Sequence, residues 1–141
     1  MMFNTIETII MANYKNLEMA HALLSHVSLS EKSSLFGLRK HLVYLPTGSP
    51  VKVMRVNYHI EAKDPLLRII NSTDGKSLAA AVKAFHAAKQ DIGNLELDVC
   101  VSADKQFVAL QLMQFMDYAN RPVSQPAFYE GEQAQLVAQI I

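Results

Sequence analysis

Apolar and polar residues alternate most regularly along residues 51–62. Met54, Val56, Tyr58 and Ile60 share one parity, and the residues between them are polar: Arg55, Asn57, His59 and Glu61. Because successive side chains of a strand point to opposite faces, this pattern predicts a strand with one buried and one exposed face. Such strands are typical of antiparallel sheets.

Four segments are predicted as helices: 5–27, 29–36, 76–90 and 131–141. The first carries apolar residues near the 3.6-residue period. The second follows Ser28 and Glu31, whose spacing is that of a capping box.

Five segments are predicted as strands: 42–45, 51–62, 66–70, 95–101 and 106–116. The last also fits helical spacing, but the short connection before it favours a hairpin. Residues 119–127, with two prolines, are predicted as a loop.

The chain is therefore predicted to be a single α+β domain over residues 1–141. Its antiparallel sheet has about five strands, an N-terminal helix, a helix between the third and fourth strands and a short C-terminal helix. Short links between strands exclude a parallel doubly wound sheet and favour helices on one face.

Composition agrees with a globular chain. Half of the 141 residues are hydrophobic and 18% are charged, which excludes a disordered chain. No charged leader precedes an unbroken apolar run, and no run reaches the length of a membrane helix. The lone cysteine, Cys100, excludes a disulfide-stapled scaffold, so we expect a cytoplasmic protein without membrane contact.

A weak anion-binding site is predicted where Gly75, Lys76 and Ser77 begin a helix after Thr73. Free backbone donors and a lysine at a helix start can hold phosphate. The phosphate-loop motif also needs a glycine five residues before Gly75, where this chain has Ile70. The competing interpretation is a strand-to-helix turn capped by Thr73 or Asp74.

No catalytic, cofactor-binding or metal-binding set is recognisable. The five histidines lack ligand spacing, and Cys100 stands among acidic residues that disfavour a thiolate. The sequence leaves an enzymatic role uncertain and favours a non-enzymatic protein.

Basic residues are concentrated in the first half of the chain. Seven lie between Lys32 and Arg68, against two acidic residues, although the chain is neutral overall. A face with Lys52, Arg55 and His59 could bind an acidic partner, or could form cross-strand pairs with two acidic residues, Glu96 and Asp98. Too few aromatic residues accompany this patch to indicate nucleic-acid binding.

A homodimer is predicted through Phe107, Met113 and Phe115. Residues 106–116 are apolar at both strand parities, so both faces need cover. A second copy could supply that cover. Alternatively, the C-terminal helix folds back over this strand within one chain.

The order of predicted elements is similar to that of small type III secretion chaperones. That resemblance implies a dimer whose antiparallel sheet lies between helices and holds a partner peptide. We therefore expect a partner-binding protein, chaperone-like or an adaptor. The alternative is a small-molecule or anion-binding domain that uses the helix start at 72–77.

Overall fold

A computed structural model describes residues 6–11, 13–33, 37, 39–58, 63–88 and 95–139. Its strands are β1 (Ile6–Met11), β2 (Leu29–Ser33), β3 (Lys40–Tyr44), β4 (Ser49–Tyr58), β5 (Leu95–Ser102), β6 (Phe107–Met116), β7 (Ala119–Pro122) and β8 (Ala127–Glu130). Its helices are α1 (Ala20–Ser25), α2 (Lys63–Asn71), α3 (Gly75–Ala88) and α4 (Glu132–Ala138), with a 3-10 turn at Tyr14–Asn16.

The strands form one antiparallel sheet, which confirms the predicted α+β class. The order across the sheet is β2-β3-β4-β5-β6-β7, and β1 and β8 pair additionally with β4 and β6. The described part of the chain therefore contributes eight strands, more than the predicted five.

The two long strands β4 and β6 each divide their outer side between two neighbours. The first half of β4 pairs with β3 and its second half with β1. Likewise, the first half of β6 pairs with β8 and its second half with β7. The sheet thus branches at both long strands, and each branch point interrupts the hydrogen-bond ladder.

Helices α2, α3 and α4 cover one face of the sheet. Val56, Leu97 and Leu110 are inaccessible to solvent there and belong to one core with Leu78 and Phe85 of α3. Helix α4 joins this core through Ala134 and Val137, so the predicted C-terminal helix is confirmed and docks within the chain.

The opposite face is buried as well, which corrects the predicted one-sided strand. Val51 and Val53 have the parity opposite to Val56 and form a second core with Tyr14, Leu17 and other residues of the N-terminal segment. The segment that follows β1 crosses this face and covers it. The exposure predicted for Asn57, His59 and Glu61 concerns side chains outside the described residues.

The predicted helix over 5–27 is wrong in most of its length. Residues 6–11 form β1, and only Ala20–Ser25 are α-helical. Three of the six β1 residues are isoleucines, whose branched side chains favour strands, and β4 offers an edge that needs a partner. Ile6, Ile9 and Ile10 are spaced i, i+3, i+4, which is also the spacing of an apolar stripe on a helix. The helix prediction followed from this spacing.

The predicted short helix over 29–36 is also wrong, because its first residues form β2. Glu31 caps no helix and instead stands opposite Leu42 in the β2–β3 hairpin. Its partner in the supposed capping box, Ser28, donates a hydrogen bond to Glu130 instead.

The third predicted strand, 66–70, belongs to helix α2. Leu66, Ile69 and Ile70 are buried while Arg68 is exposed, which is helical spacing rather than alternation. Pro65 lies in the first turn, where the missing backbone donor costs nothing.

Residues 106–116 are a strand, as predicted, and they continue into short strands. The predicted loop 119–127 is mostly β7 and the start of β8. Asp117 and Tyr118 connect β6 to β7 with positive φ values of 53° and 65°. This two-residue turn matches the twist of a hairpin although it lacks glycine. Among the described residues, no helix is both long and apolar enough to cross a membrane.

Candidate functional site

The branch point on β4 leaves a gap in the sheet. Strand β3 pairs with β4 up to Val51, and β1 pairs with it from Met54 onward. Within the described residues, no strand pairs with Lys52 or Val53 on that side. A strand without a ladder partner presents backbone groups that an added chain segment can use.

A groove of about 850 Å³ opens at this gap, and we call it the basic groove. Val51 and Val53 of β4 line it, together with Asn13 and Tyr14, which follow β1 in the chain. Five basic side chains line it: Lys15, Arg39, Lys40, His41 and Lys52. Small-molecule and peptide sites have volumes in this range.

Glu31 is an acidic residue that contacts three of the side chains lining this groove. It accepts a hydrogen bond from the Tyr14 hydroxyl and forms ion pairs with Lys15 at 3.5 Å and Lys40 at 3.8 Å. Lys15, Lys40 and Lys52 carry three positive charges and Glu31 carries one negative charge, an excess of two positive charges among these four residues. The side chains of both paired lysines remain about half exposed and can reach a ligand.

The sequence grouped Lys52 and Arg55 on one sheet face, and the structure separates them. They are three residues apart, so they have opposite parity. Arg55 lies on the face covered by the N-terminal segment and pairs with Asp98, with an Nε–Oδ1 distance of 2.7 Å. The cross-strand alternative is thus correct for Arg55. The third residue of that predicted patch, His59, lies outside the described residues.

The Arg55–Asp98 pair is a buried structural contact. Asp98 has no exposed surface, and both its oxygens accept from the guanidinium of Arg55. These hydrogen bonds raise the pKa of Arg55 from its ordinary value, partly offset by burial. Arg55 was predicted to be exposed, but its side chain is mostly buried and its guanidinium hydrogen-bonds to Asp98.

The predicted anion-binding residues Thr73, Gly75, Lys76 and Ser77 lie together between α2 and α3. The carboxylate of Asp74 accepts from the backbone of Lys76 and Ser77 and from the Ser77 hydroxyl. These hydrogen bonds lower the pKa of Asp74. A phosphate at this helix start would compete with that carboxylate for the same donors, so Asp74 acts as the helix cap. Anion binding there stays a prediction.

The predicted interface residues have unequal exposure. Phe107 and Met113 are buried within a single chain, whereas Phe115 is 43% exposed and Tyr118, at the β6–β7 turn, is 96% exposed. The face that was expected to need a second copy is largely covered by the N-terminal segment.

A cluster of aromatic and polar side chains surrounds Phe107 where the N-terminal segment meets β8. The His26 ring packs against Phe107 and Phe128, and its Nε2 lies 3.8 Å from an oxygen of Glu130. The same carboxylate accepts from the hydroxyls of Tyr44 and Ser28. Burial and the hydrogen bond to Glu130 raise the pKa of Tyr44 to about 12. This cluster ties the end of α1 to β8.

Cys100 is buried in the second core, and burial raises the pKa of its thiol, with a further contribution from Asp98. Such a thiol is unreactive. No three histidine, cysteine or acidic side chains converge on a metal site in the part of the chain that the structure describes.

The sequence identified the basic excess and Lys52, but it did not place Lys15, Arg39 and Lys40 beside Lys52. Lys15 lies within the segment predicted as a long helix, whereas the structure places it in the 3-10 turn Tyr14–Asn16 after β1, where it shares Glu31 with Lys40. The short spacing Arg39-Lys40-His41 next to a strand was the available signal.

Searches of protein-family models, of curated proteins and of solved structures give no match to this chain.

Proposed function

We propose that this protein is a small binding protein that holds an acidic segment of a partner protein in the basic groove. The observation that carries this proposal is the convergence of Lys15, Arg39, Lys40 and Lys52 beside an interrupted strand. Complementary charge steers association and suppresses wrong partners.

The groove suits an extended segment better than a lone ion. Its cationic side chains come from three separated stretches, residues 15, 39–41 and 52, so the positive charge is spread along the opening. The interrupted ladder at Lys52 and Val53 adds main-chain groups that a strand can pair with. A partner with alternating acidic residues could use both features at once.

Nuclear magnetic resonance mapping tests where an acidic segment binds. We expect octaglutamate, added to uniformly labelled protein, to shift the amide signals of Lys15, Lys40, Lys52 and Val53. The signals of α3, which contributes no residue to the lining of the groove, should remain in place. Shifts confined to α3, or no saturable shift, would contradict the proposal.

The binding protein is further proposed to be a cytoplasmic homodimer that contacts its second copy through Phe115. Exposed aromatic residues are enriched at interfaces, and Phe115 and Tyr118 lie near one another on the β6–β7 hairpin. Light scattering should give twice the chain mass of 15.7 kDa for the wild type and the single-chain mass for Phe115→Glu. A wild-type monomer at micromolar concentration would rule the dimer out.

A further inference from the structure

A second groove, of about 690 Å³, lies between the start of α1 and the connection from β7 to β8. We call it the amide groove after Gln111, which lines it. One wall consists of residues 18, 19, 21 and 22, and the other of residues 122–126. It shares no lining residue with the basic groove.

The side-chain amide of Gln111 has a hydrogen-bond partner for its nitrogen but, among the described residues, none for its oxygen. Its side chain is 5% exposed, and its Nε2 donates to the backbone oxygen of Ser124 at 3.1 Å. Its Oε1 is buried and has no hydrogen-bond partner. The opposite amide orientation would direct the oxygen of Gln111 at the oxygen of Ser124, so the donor assignment is fixed by that contact. A buried acceptor without a donor is costly, and a ligand can supply the donor.

The surroundings of Gln111 favour a positively charged donor. Asp98 stands directly opposite Gln111 on β5, and Glu96, the next residue on that strand with the same parity, has a buried carboxylate oxygen without a partner. Glu18 lines the groove at its exposed end. Arg55 pairs with Asp98 and also interacts with the charge of Glu96, so Glu18 is the carboxylate among the lining residues, beside His21.

We propose that the amide groove binds a small organic ammonium ion. Gln111 Oε1 is covered in the unliganded chain, so binding includes a small shift of the groove wall that lets the ammonium group donate to this oxygen. The ammonium is also attracted by Glu18, while the hydrocarbon part packs against Ala22, Pro122, Val123 and Pro126. The volume and the mixture of apolar walls with a few polar groups are those of small-molecule sites. This site is independent of the acidic-segment proposal, because the two grooves have different residues and opposite charge preference.

The test compares hexylammonium with hexanol, which has the same hydrocarbon chain and no charge. Isothermal titration calorimetry should show saturable binding of hexylammonium and at least about tenfold weaker binding of hexanol, equivalent to about 1.4 kcal/mol. Gln111→Leu should lose hexylammonium binding by a similar factor, and Glu18→Gln should weaken it. Glu132→Gln, an exposed substitution on α4, is the matched control and should bind as the wild type does.

The resonances of the Gln111 side-chain amide provide a readout that needs no variant. They should shift with hexylammonium and saturate at the dissociation constant found by calorimetry. Equal binding of hexanol and hexylammonium, wild-type affinity in Gln111→Leu, or no saturable shift at all would overturn the proposal. The last result would mean that water alone satisfies the Gln111 oxygen. None of these results depends on whether octaglutamate binds the basic groove.

Discussion

Arg55 and Asp98 face one another across β4 and β5, and the guanidinium donates to both oxygens of a carboxylate that has no exposed surface. A buried ion pair contributes little net stability against an apolar pair, but removing one partner leaves a charge uncompensated. The pair therefore makes the sheet sensitive to single substitutions at either position.

Arg55→Leu should lower the free energy of unfolding by about 3–5 kcal/mol, because it leaves Asp98 charged and buried. The double variant Arg55→Leu/Asp98→Leu should recover most of that loss. Arg121→Leu, on the exposed strand β7, serves as the control and should lie within about 0.5 kcal/mol of wild type. Urea denaturation measures all four proteins. An Arg55→Leu protein as stable as the control would show that the pair does not form.

Both faces of β4 should be intolerant of charge. Val53→Asp and Val56→Asp each bury an unpaired carboxylate, one under the N-terminal segment and one under the helices, so both variants should be unfolded by circular dichroism. Lys83→Asp, exposed on α3, should fold. A folded Val53→Asp with a thermal midpoint near the wild-type value would show that the second core does not exist.

Asp74 should stabilise α3 in a pH-dependent way. Hydrogen bonds from the Ser77 side chain and from the backbone of Ser77 and Lys76 lower the pKa of Asp74 in the folded state. A depressed folded pKa gives stability above the unfolded value, about 3.9, that disappears as the pH falls through the folded value.

Thermal melts of Asp74→Ala should accordingly show a lower midpoint than the wild type at pH 7 and a shrinking difference below about pH 4. Asp74→Asn is the matched variant, because asparagine also caps helices but does not ionise. It should keep most of the stability at pH 7. A constant difference between wild type and Asp74→Ala down to about pH 2 would contradict the capping role.

The sequence predicted the elements whose pattern is set locally, and it failed where an element depends on a distant neighbour. The segment around Val56 and the apolar segment 106–116 were correctly predicted as strands, but the exposed face predicted for the first is wrong. The isoleucines of β1 form a strand because they pair with the edge of β4, and the local sequence does not indicate that pairing. Leu66–Ile70 form an apolar run too short to distinguish a strand from a buried helix without its packing partners.

The candidate site shows the same limit. The basic excess between Lys32 and Arg68 was visible in the sequence, but its assignment to Lys52, Arg55 and His59 joined residues of different parity. In the basic groove, the 3-10 turn capped by Asn13 places Lys15 near Lys40, so that both pair with Glu31. Lys15 is held in this position because its neighbours Tyr14 and Leu17 are buried in the second core. The local sequence does not indicate which face of the sheet these two residues pack against.

The central claim, that the basic groove recognises an acidic segment through charge, is tested most directly by a charge-swap titration. Fluorescence anisotropy would measure labelled octaglutamate and octalysine on the wild type, on Lys40→Glu/Lys52→Glu and on the control Lys76→Glu/Lys83→Glu, whose substitutions lie on α3. We expect octaglutamate to bind the wild type and the control, to weaken at least about tenfold on Lys40→Glu/Lys52→Glu, and to weaken as salt is raised. Octalysine should gain affinity for Lys40→Glu/Lys52→Glu beyond any gain on the control. Octaglutamate binding that is unchanged by Lys40→Glu/Lys52→Glu, or lost equally in the control, would contradict the claim.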